Sequence, residues 1–364
     1  MASLIAFTSP GDVDRAAVEA AFKALRPYGG AAYLPAGSGA TPTALANRVR
    51  AYDLPQAAVR ETGEAVVVTR EGALTGSADW THQYGDIANT VKSDDELVKL
   101  PLGVLWFGGS SNEDVLPRHG HGPPEQVVDG RLFIEGIDCI SARDVYTGRV
   151  LWKRTLPELG NFGVYYDETY ADTPLSLTYN QVHIPGANSR GANYVAASDG
   201  IYVALDDYCL VLDPRTGDTL SRIDLPPLTA AGAAPKWGYI GVYEDFLIAG
   251  AGEVQYTDFL DDVPEGKKAR FYDLDLTASK HLIVMDRHSG EVLWTRSSTL
   301  GFRHNAIVVG NGQVYCIDRL PDPVEGALKR RGHKVADRPA LLALDRLYRA
   351  QGMFAELLAL LERR

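Results

Sequence analysis

Cysteine is scarce in this 364-residue chain, and the three that occur, Cys139, Cys209 and Cys316, are far apart, odd in number and free of any CxxC spacing. That excludes a disulfide framework or a zinc knuckle as the organising device. No apolar run approaches the ~20 residues that a membrane helix requires, so no membrane span is expected. Positive charge is in deficit too: a formal net charge of -11 repels a phosphate backbone, which argues against nucleic acid as the main partner. The first ten residues carry neither a positive n-region nor a long apolar h-region, so no secretory signal is read there and the expected location is cytoplasmic. The serines stand in no nucleophile-elbow context, and a hydrolase reading has nothing to rest on.

What is present divides the chain into stretches of different grammar. With 45% apolar and 23% charged residues the composition is globular, and the length suits about two or three domains. Residues 4–71 read strand, helix, strand, helix, strand. Val13, Ala17, Val18, Ala21, Phe22 and Leu25 recur on one helical face, with Ser9 or Asp12 as cap and Gly29-Gly30 as stop. Further strands are expected over 31–34 and 64–69, and a second helix over 43–50. Alternation of this kind is α/β, and it ends at the linker 72–78. The far end, 346–364, turns helical, with Leu347, Met353, Phe354, Leu357, Leu358 and Leu361 on one face.

Between these lies a region of short Tyr-, Val- and Ile-rich runs punctuated by Gly and Asp, and it repeats itself. Asp144-Val145-Tyr146-Thr147-Gly148 precedes Arg149-Val150-Leu151-Trp152. Asp213-Pro214-Arg215-Thr216-Gly217 precedes Asp218-Thr219-Leu220-Ser221, and Asp286-Arg287-His288-Ser289-Gly290 precedes Glu291-Val292-Leu293-Trp294. Upstream of each stands a hairpin signal: Asp129-Gly130, Asp199-Gly200 and, less marked, Glu244-Asp245. The Asp carboxylate can accept hydrogen bonds from turn N–H groups while Gly takes the left-handed conformation, so the pair fixes a tight corner between antiparallel strands. A fourth unit opens at Asn311-Gly312 and reaches Asp345, where no Thr-Gly corner follows. The spacing of about 70 residues exceeds the ~40 to 45 of a WD40 blade. Two Tyr- and Asp-rich insertions, 158–193 and 252–280, account for the excess, and loops of such length tend to be functional.

The segment Phe22-Lys23-Ala24-Leu25-Arg26-Pro27-Tyr28-Gly29-Gly30-Ala31-Ala32-Tyr33-Leu34 resembles the helix-to-strand turn of class I methyltransferases. The resemblance covers at most about 75 residues and only the later part of such a domain. That family's cofactor-cradling glycine loop has no counterpart, because Gly37-Ser38-Gly39 follows the wrong strand. It implies a structural remnant.

Asp79-Trp80-Thr81-His82-Gln83-Tyr84-Gly85-Asp86-Ile87-Ala88-Asn89-Thr90, followed by Leu102-Gly103-Val104-Leu105-Trp106, resembles the opening of quinoprotein alcohol dehydrogenase-like domains. With the three corners, Trp152 and Trp294, the resemblance spans 79–345. It implies PQQ-like repeats in a propeller whose turn tryptophans pack between radial blades. Ser221 departs from that pattern, so one junction is expected to be looser. Enzymes of the family hold pyrroloquinoline quinone and calcium beneath a disulfide of adjacent cysteines. No adjacent cysteine pair occurs here and no spacing singles out calcium ligands, so PQQ and calcium rest on resemblance alone. Many relatives bind no quinone and act as interaction scaffolds. Rings of the family usually have seven or eight blades, and four would leave sheet edges open to self-association.

Candidate site residues are few. Arg118, His119 and His121 form the densest polar cluster; histidines two apart on an extended segment share a side and could hold a metal or, with Arg118, an anion. The plainer alternative is a Gly/Pro loop whose imidazoles bond to backbone, and no further metal ligands are designated. His82 beside Trp80 and Tyr84 could line a pocket or serve aromatic packing. Asp206-Asp207, and Asp258 with Asp261 and Asp262, could be paired carboxylates or calcium ligands, but neither run has EF-hand order and solvated turn charges are the plainer reading; the basic run 329–334 reads as an exposed loop or a contact for an acidic partner.

The expected architecture is mainly β: a partial β-propeller of about four blades over 79–345, preceded by a small α/β segment over 1–75 and followed by the helical segment 346–364. The expected function is a binding or interaction scaffold that offers propeller loops to a protein partner or small ligand. A quinone-dependent dehydrogenase is the alternative, and a fragment of a methyltransferase–propeller fusion the second.

Overall fold

A computed structural model of the chain describes residues 1–10, 13–37, 39–108, 114–115, 123–159, 191–228, 232–256, 274–335 and 340–344. The first elements are β1 (Leu4–Ala6), α1 (Arg15–Ala24), β2 (Gly30–Pro35), α2 (Pro42–Arg50), β3 (Ala57–Thr62) and β4 (Ala65–Arg70). They form one sheet in the order β1-β2-β4-β3, parallel only between β1 and β2. Asp14 caps α1 by accepting from Ala17 N at 2.7 Å; Ser9 does not cap it, and Asp12 lies outside the described residues. Gly29, at φ 103°, releases the chain from the helix, and Gly30 passes so close to Arg26 that a Cβ there would meet its carbonyl at 2.4 Å. Phe22, Leu25, Leu34, Val49, Val66 and Val68 fill the core beneath both helices.

From Gln126 onward the chain builds antiparallel sheets, each a simple meander. The first contains β5 (Gln126–Val128), β6 (Arg131–Gly136), β7 (Cys139–Asp144) and β8 (Val150–Thr155). The second contains β9 (Tyr194–Ala196), β10 (Ile201–Leu205), β11 (Tyr208–Leu212) and β12 (Thr219–Asp224). The third contains β13 (Trp237–Tyr243), β14 (Phe246–Glu253), β15 (Ala278–Asp286) and β16 (Val292–Arg303), and the fourth β17 (Val308–Gly310), β18 (Gln313–Asp318) and β19 (Ala340–Leu344). A single register pair, Phe302 with Asp318, joins the last two sheets.

The second and third sheets each share one core with the sheet before and another with the sheet after. Ile201, Val203 and Leu205 pack against Phe133, Ile140 and Trp152 of the first sheet. Tyr202, on the opposite face of the same strand, joins Leu247, Ala249 and Ile283 of the third. Phe246, Ile248, Leu282 and Val284 turn the other way, toward Val309, Val314 and Cys316 of the fourth. A strand buried on both faces needs apolar residues at every position, which is why these runs do not alternate in polarity. First strands also meet: the Gln126 amide donates to Tyr194 O at 2.8 Å and accepts from Ala196 N at 2.6 Å, tying β5 to β9. Successive meanders packed face to face about their first strands form a partial β-propeller.

The three Asp corners are built alike. Asp144 accepts from Tyr146 N and Thr147 N, Asp213 from Arg215 N, and Asp286 from His288 N, Ser289 N and Ser289 Oγ. Gly148, Gly217 and Gly290 each donate to the Asp carbonyl at 2.8 Å with φ between 71° and 77°.

Part of the basic run forms no loop. Lys329 and Arg330 end α3 (Asp322–Arg330), where cations offset the carbonyl end of the helix, and Lys329 pairs with Glu325 at 2.7 Å. Among the described residues no helix is long and apolar enough to cross a membrane.

Candidate functional site

The segment ahead of the first blade runs along the first strands. Trp80 exchanges two 2.8 Å backbone hydrogen bonds with Val127 of β5. His82 accepts from Val242 N of β13 through Nε2 at 3.2 Å, and Ile87 O receives Val309 N of β17. One segment, folded back on itself between His82 and Gly85, therefore touches the first, third and fourth sheets at their first strands. Because an amide nitrogen can only donate, His82 Nε2 carries no proton, and Nδ1–H faces Thr81 Oγ1 at 2.7 Å. Burial lowers the His82 pKa to about 4, against the opposing influence of Asp86. His82 is thus a neutral, engaged core histidine.

A cavity of about 220 Å³ opens beside this stretch, lined among others by Gly191, Lys236, Trp237, Gly238, Ser279 and His304. At its floor Ser279 Oγ lies 2.8 Å from His304 Nε2, with both side chains buried. The β15–β16 ladder sets this pair, since Ser279 stands opposite Phe302 and the chain turns into His304 just beyond. Glycines make the room. A Cβ on Gly238 would meet Ser279 Oγ at 2.6 Å and the His304 ring at 3.0 Å, and one on Gly250 would meet Ser279 Oγ at 2.7 Å. Glycine inside a strand often marks such close approach. At the rim Lys236 Nζ stands 3.5 Å from Asp206 Oδ1, both side chains being well exposed. Leu159, Gly191, Glu253 and Leu276 also line the cavity, so both long insertions leave and rejoin the fold near its mouth.

His82 lines a smaller recess that shares His304 and Ala192 with the main cavity, whereas Trp80 lines neither. Arg118, His119 and His121 lie outside the described residues, as do Asp258, Asp261, Asp262 and the 346–364 segment. Asp206 is the exposed turn charge expected from the sequence, in the turn between β10 and β11, and that turn also borders the cavity. Ser279, His304 and Lys236 were not singled out by any motif; only the strand glycines 238 and 250 hinted at them.

The chemistry available is polar recognition: an imidazole and hydroxyl at the floor, an indole wall, and one cation and carboxylates at the rim. The three cysteines are buried and form no disulfide. Burial raises all of them, Cys316 to about 12, which leaves them as core residues without thiolate character. Among the described residues no three His, Cys, Asp or Glu side chains converge as metal ligands. The described residues that line this cavity therefore bring no converging cluster of acidic donors for a calcium-held quinone.

No protein-family profile matches the chain, and no curated protein matches it either. Similarity does occur among solved structures. The quinohemoprotein alcohol dehydrogenase from Comamonas testosteroni is 18% identical over 62% of this chain and 28% of its own, with a TM-score of 0.36. A europium-containing methanol dehydrogenase is 15% identical over 61% of this chain and 32% of its own, with a TM-score of 0.35. BamB from Moraxella catarrhalis is 14% identical over 52% of this chain and 40% of its own, with a TM-score of 0.28. The chain spans less than half the length of each of these.

Proposed function

We propose that the chain is a non-catalytic binding module, and that its ligand site is the cavity floored by Ser279 and His304. The observation that carries this reading is a buried polar pair facing open space between two strand glycines, where apolar packing would otherwise be expected. A cavity of about 220 Å³ is below the ~300 to 1,000 Å³ of drug-sized sites, so it suits a small polar ligand or one side chain of a protein partner. Crystallographic screening of small hydroxyl- and amide-bearing fragments tests this. Occupancy at Ser279 and His304 that Gly238→Ala abolishes is the expected result, and fragments gathering elsewhere would refute it.

The PQQ-like repeat reading rests on the shared corner grammar and takes second place as a dehydrogenase, for want of a fitting donor set. Stoichiometric uptake of quinone with calcium, accompanied by dye-linked alcohol oxidation, would reverse that order. For the β1–β4 sheet we favour a structural remnant akin to the later part of a methyltransferase. Its support is the Pro27–Gly30 turn between α1 and β2, and the insertion of the last strand β4 between β2 and β3.

A further inference from the structure

The outer strand of one blade reaches the corner of the next. From β8, Trp152 Nε1 donates to Pro214 O at 3.0 Å, and a Cβ on Gly217 would lie 2.7 Å from its ring. Trp106 makes the same two contacts one junction earlier: Nε1 donates to Val145 O at 2.8 Å, and a Cβ on Gly148 would lie 2.4 Å from the indole. Val104-Leu105-Trp106 also repeats the Val-Leu-Trp of β8 and β16. Residues 102–107 therefore stand where the outer strand of a blade preceding the first would stand.

That segment forms no strand and joins no sheet among the described residues. Residues 99–108 form no backbone hydrogen bond among the described residues. Val104 is 82% exposed and Phe107 100%. At the other end of the arc the fourth blade has the opposite defect. It has β17, β18 and β19, and the outer edge of β19 pairs with nothing among the described residues. An orphan apolar segment and an open sheet edge each invite association, and here they are complementary parts of one blade.

We propose that two copies of the chain exchange these parts, residues 102–107 of each adding to β19 of the other as β8 adds to β7. The occupant is a second copy because this chain carries both halves of the junction, at opposite ends of its arc. Each copy supplies three complete sheets and shares in completing two, so the pair closes with eight blades, within the 4 to 8 typical of propellers. The two junctions are related by a two-fold axis and leave no edge over, the form that most soluble oligomers take.

Light scattering on the full chain tests this, with twice the monomer mass expected. Val104→Pro removes a backbone donor from an exposed segment, and it is expected to give the monomer mass with an unchanged circular dichroism spectrum. Leu342→Pro on β19 should do the same from the other side. Mixing the two variants should restore the doubled mass, because one of the two junctions is then intact in sequence. Should Leu342→Pro fail to fold, Leu105→Asp replaces it as a second monomerising variant. A monomeric wild-type chain, a dimer indifferent to Val104→Pro, folded Val104→Pro and Leu342→Pro variants that do not pair on mixing, or an open ladder of higher masses would each overturn the proposal.

Discussion

Trp152 and Gly217 meet across the first blade junction so closely that a Cβ on the glycine would lie 2.7 Å from the indole. The glycine also sits at φ 77°, so it serves both the corner and the contact. Gly217→Ala is expected to cost about 1–2 kcal/mol for the left-handed conformation and a further ~1–3 kcal/mol for displacing the ring. At the next junction Ser221 stands in place of tryptophan, and Gly290, at φ 75°, faces Ile223 Cγ2 at 3.3 Å. There the clash is slight, so Gly290→Ala should lose little beyond the ~1–2 kcal/mol of conformational strain. Urea unfolding of both variants decides, and equal losses would remove the indole from the account.

Asp318 ties the third sheet to the fourth. Its carboxylate accepts from Thr299 N at 2.6 Å, Leu300 N at 2.7 Å and Gly301 N at 2.8 Å, beside the one register pair that joins β16 to β18. Asp318→Ala strands three amides, each worth ~1–3 kcal/mol when left without an acceptor, so a loss of about 3 kcal/mol or more is expected. Asp318→Asn keeps one acceptor oxygen and should lose less. Hydrogen exchange at residues 299–301 reads the effect directly, and unchanged protection in the alanine variant would refute it.

The corners and hairpins were legible in the sequence because their cause is local. Asp and Gly four apart can satisfy one another within a single turn, wherever the rest of the chain goes. Trp152 was legible as a packing residue for the same reason: it stands at a fixed offset from a corner. β3 was not, since Ala57, Ala58, Arg60 and Glu61 carry little strand preference and the strand depends on pairing with β4. α3 was hidden by the basic run that ends it. The cavity was the least legible feature. Ser279 and His304 are 25 positions apart and ordinary in isolation, and only the antiparallel return of β16 beside β15 brings them together.

The floor of the cavity gives a paired prediction. Ser279→Ala deletes the hydroxyl bonded to His304 and should destabilise the fold by ~1–3 kcal/mol, as expected for a buried hydrogen bond that loses one partner. Gly238→Ala instead forces a Cβ to within 2.6 Å of that hydroxyl and 3.0 Å of the ring. It should cost ~1–3 kcal/mol as overpacking, and in the double variant part of that cost should be relieved because the obstructing oxygen is gone. A thermodynamic cycle over the four proteins measures the coupling, and strict additivity would place the two residues out of contact.

His82 should make stability depend on pH. In the folded chain it is neutral, with a pKa lowered to about 4 by burial, while in the unfolded chain it titrates near the ordinary histidine value of about 6.5. Between those values the unfolded state binds the extra proton, so stability falls as the pH is lowered from about 6.5 to about 4 and the slope vanishes below that window. Each pH unit is worth about 1.4 kcal/mol at most, giving a total near 3 kcal/mol. His82→Gln retains an oxygen able to accept from Val242 N but has no proton to gain. Denaturant titrations across the window should therefore show a shallower slope in the variant, once the carboxylate contribution common to both proteins is subtracted. Identical slopes would show that His82 is already charged in the folded chain, contrary to the Val242 amide pointing at its Nε2.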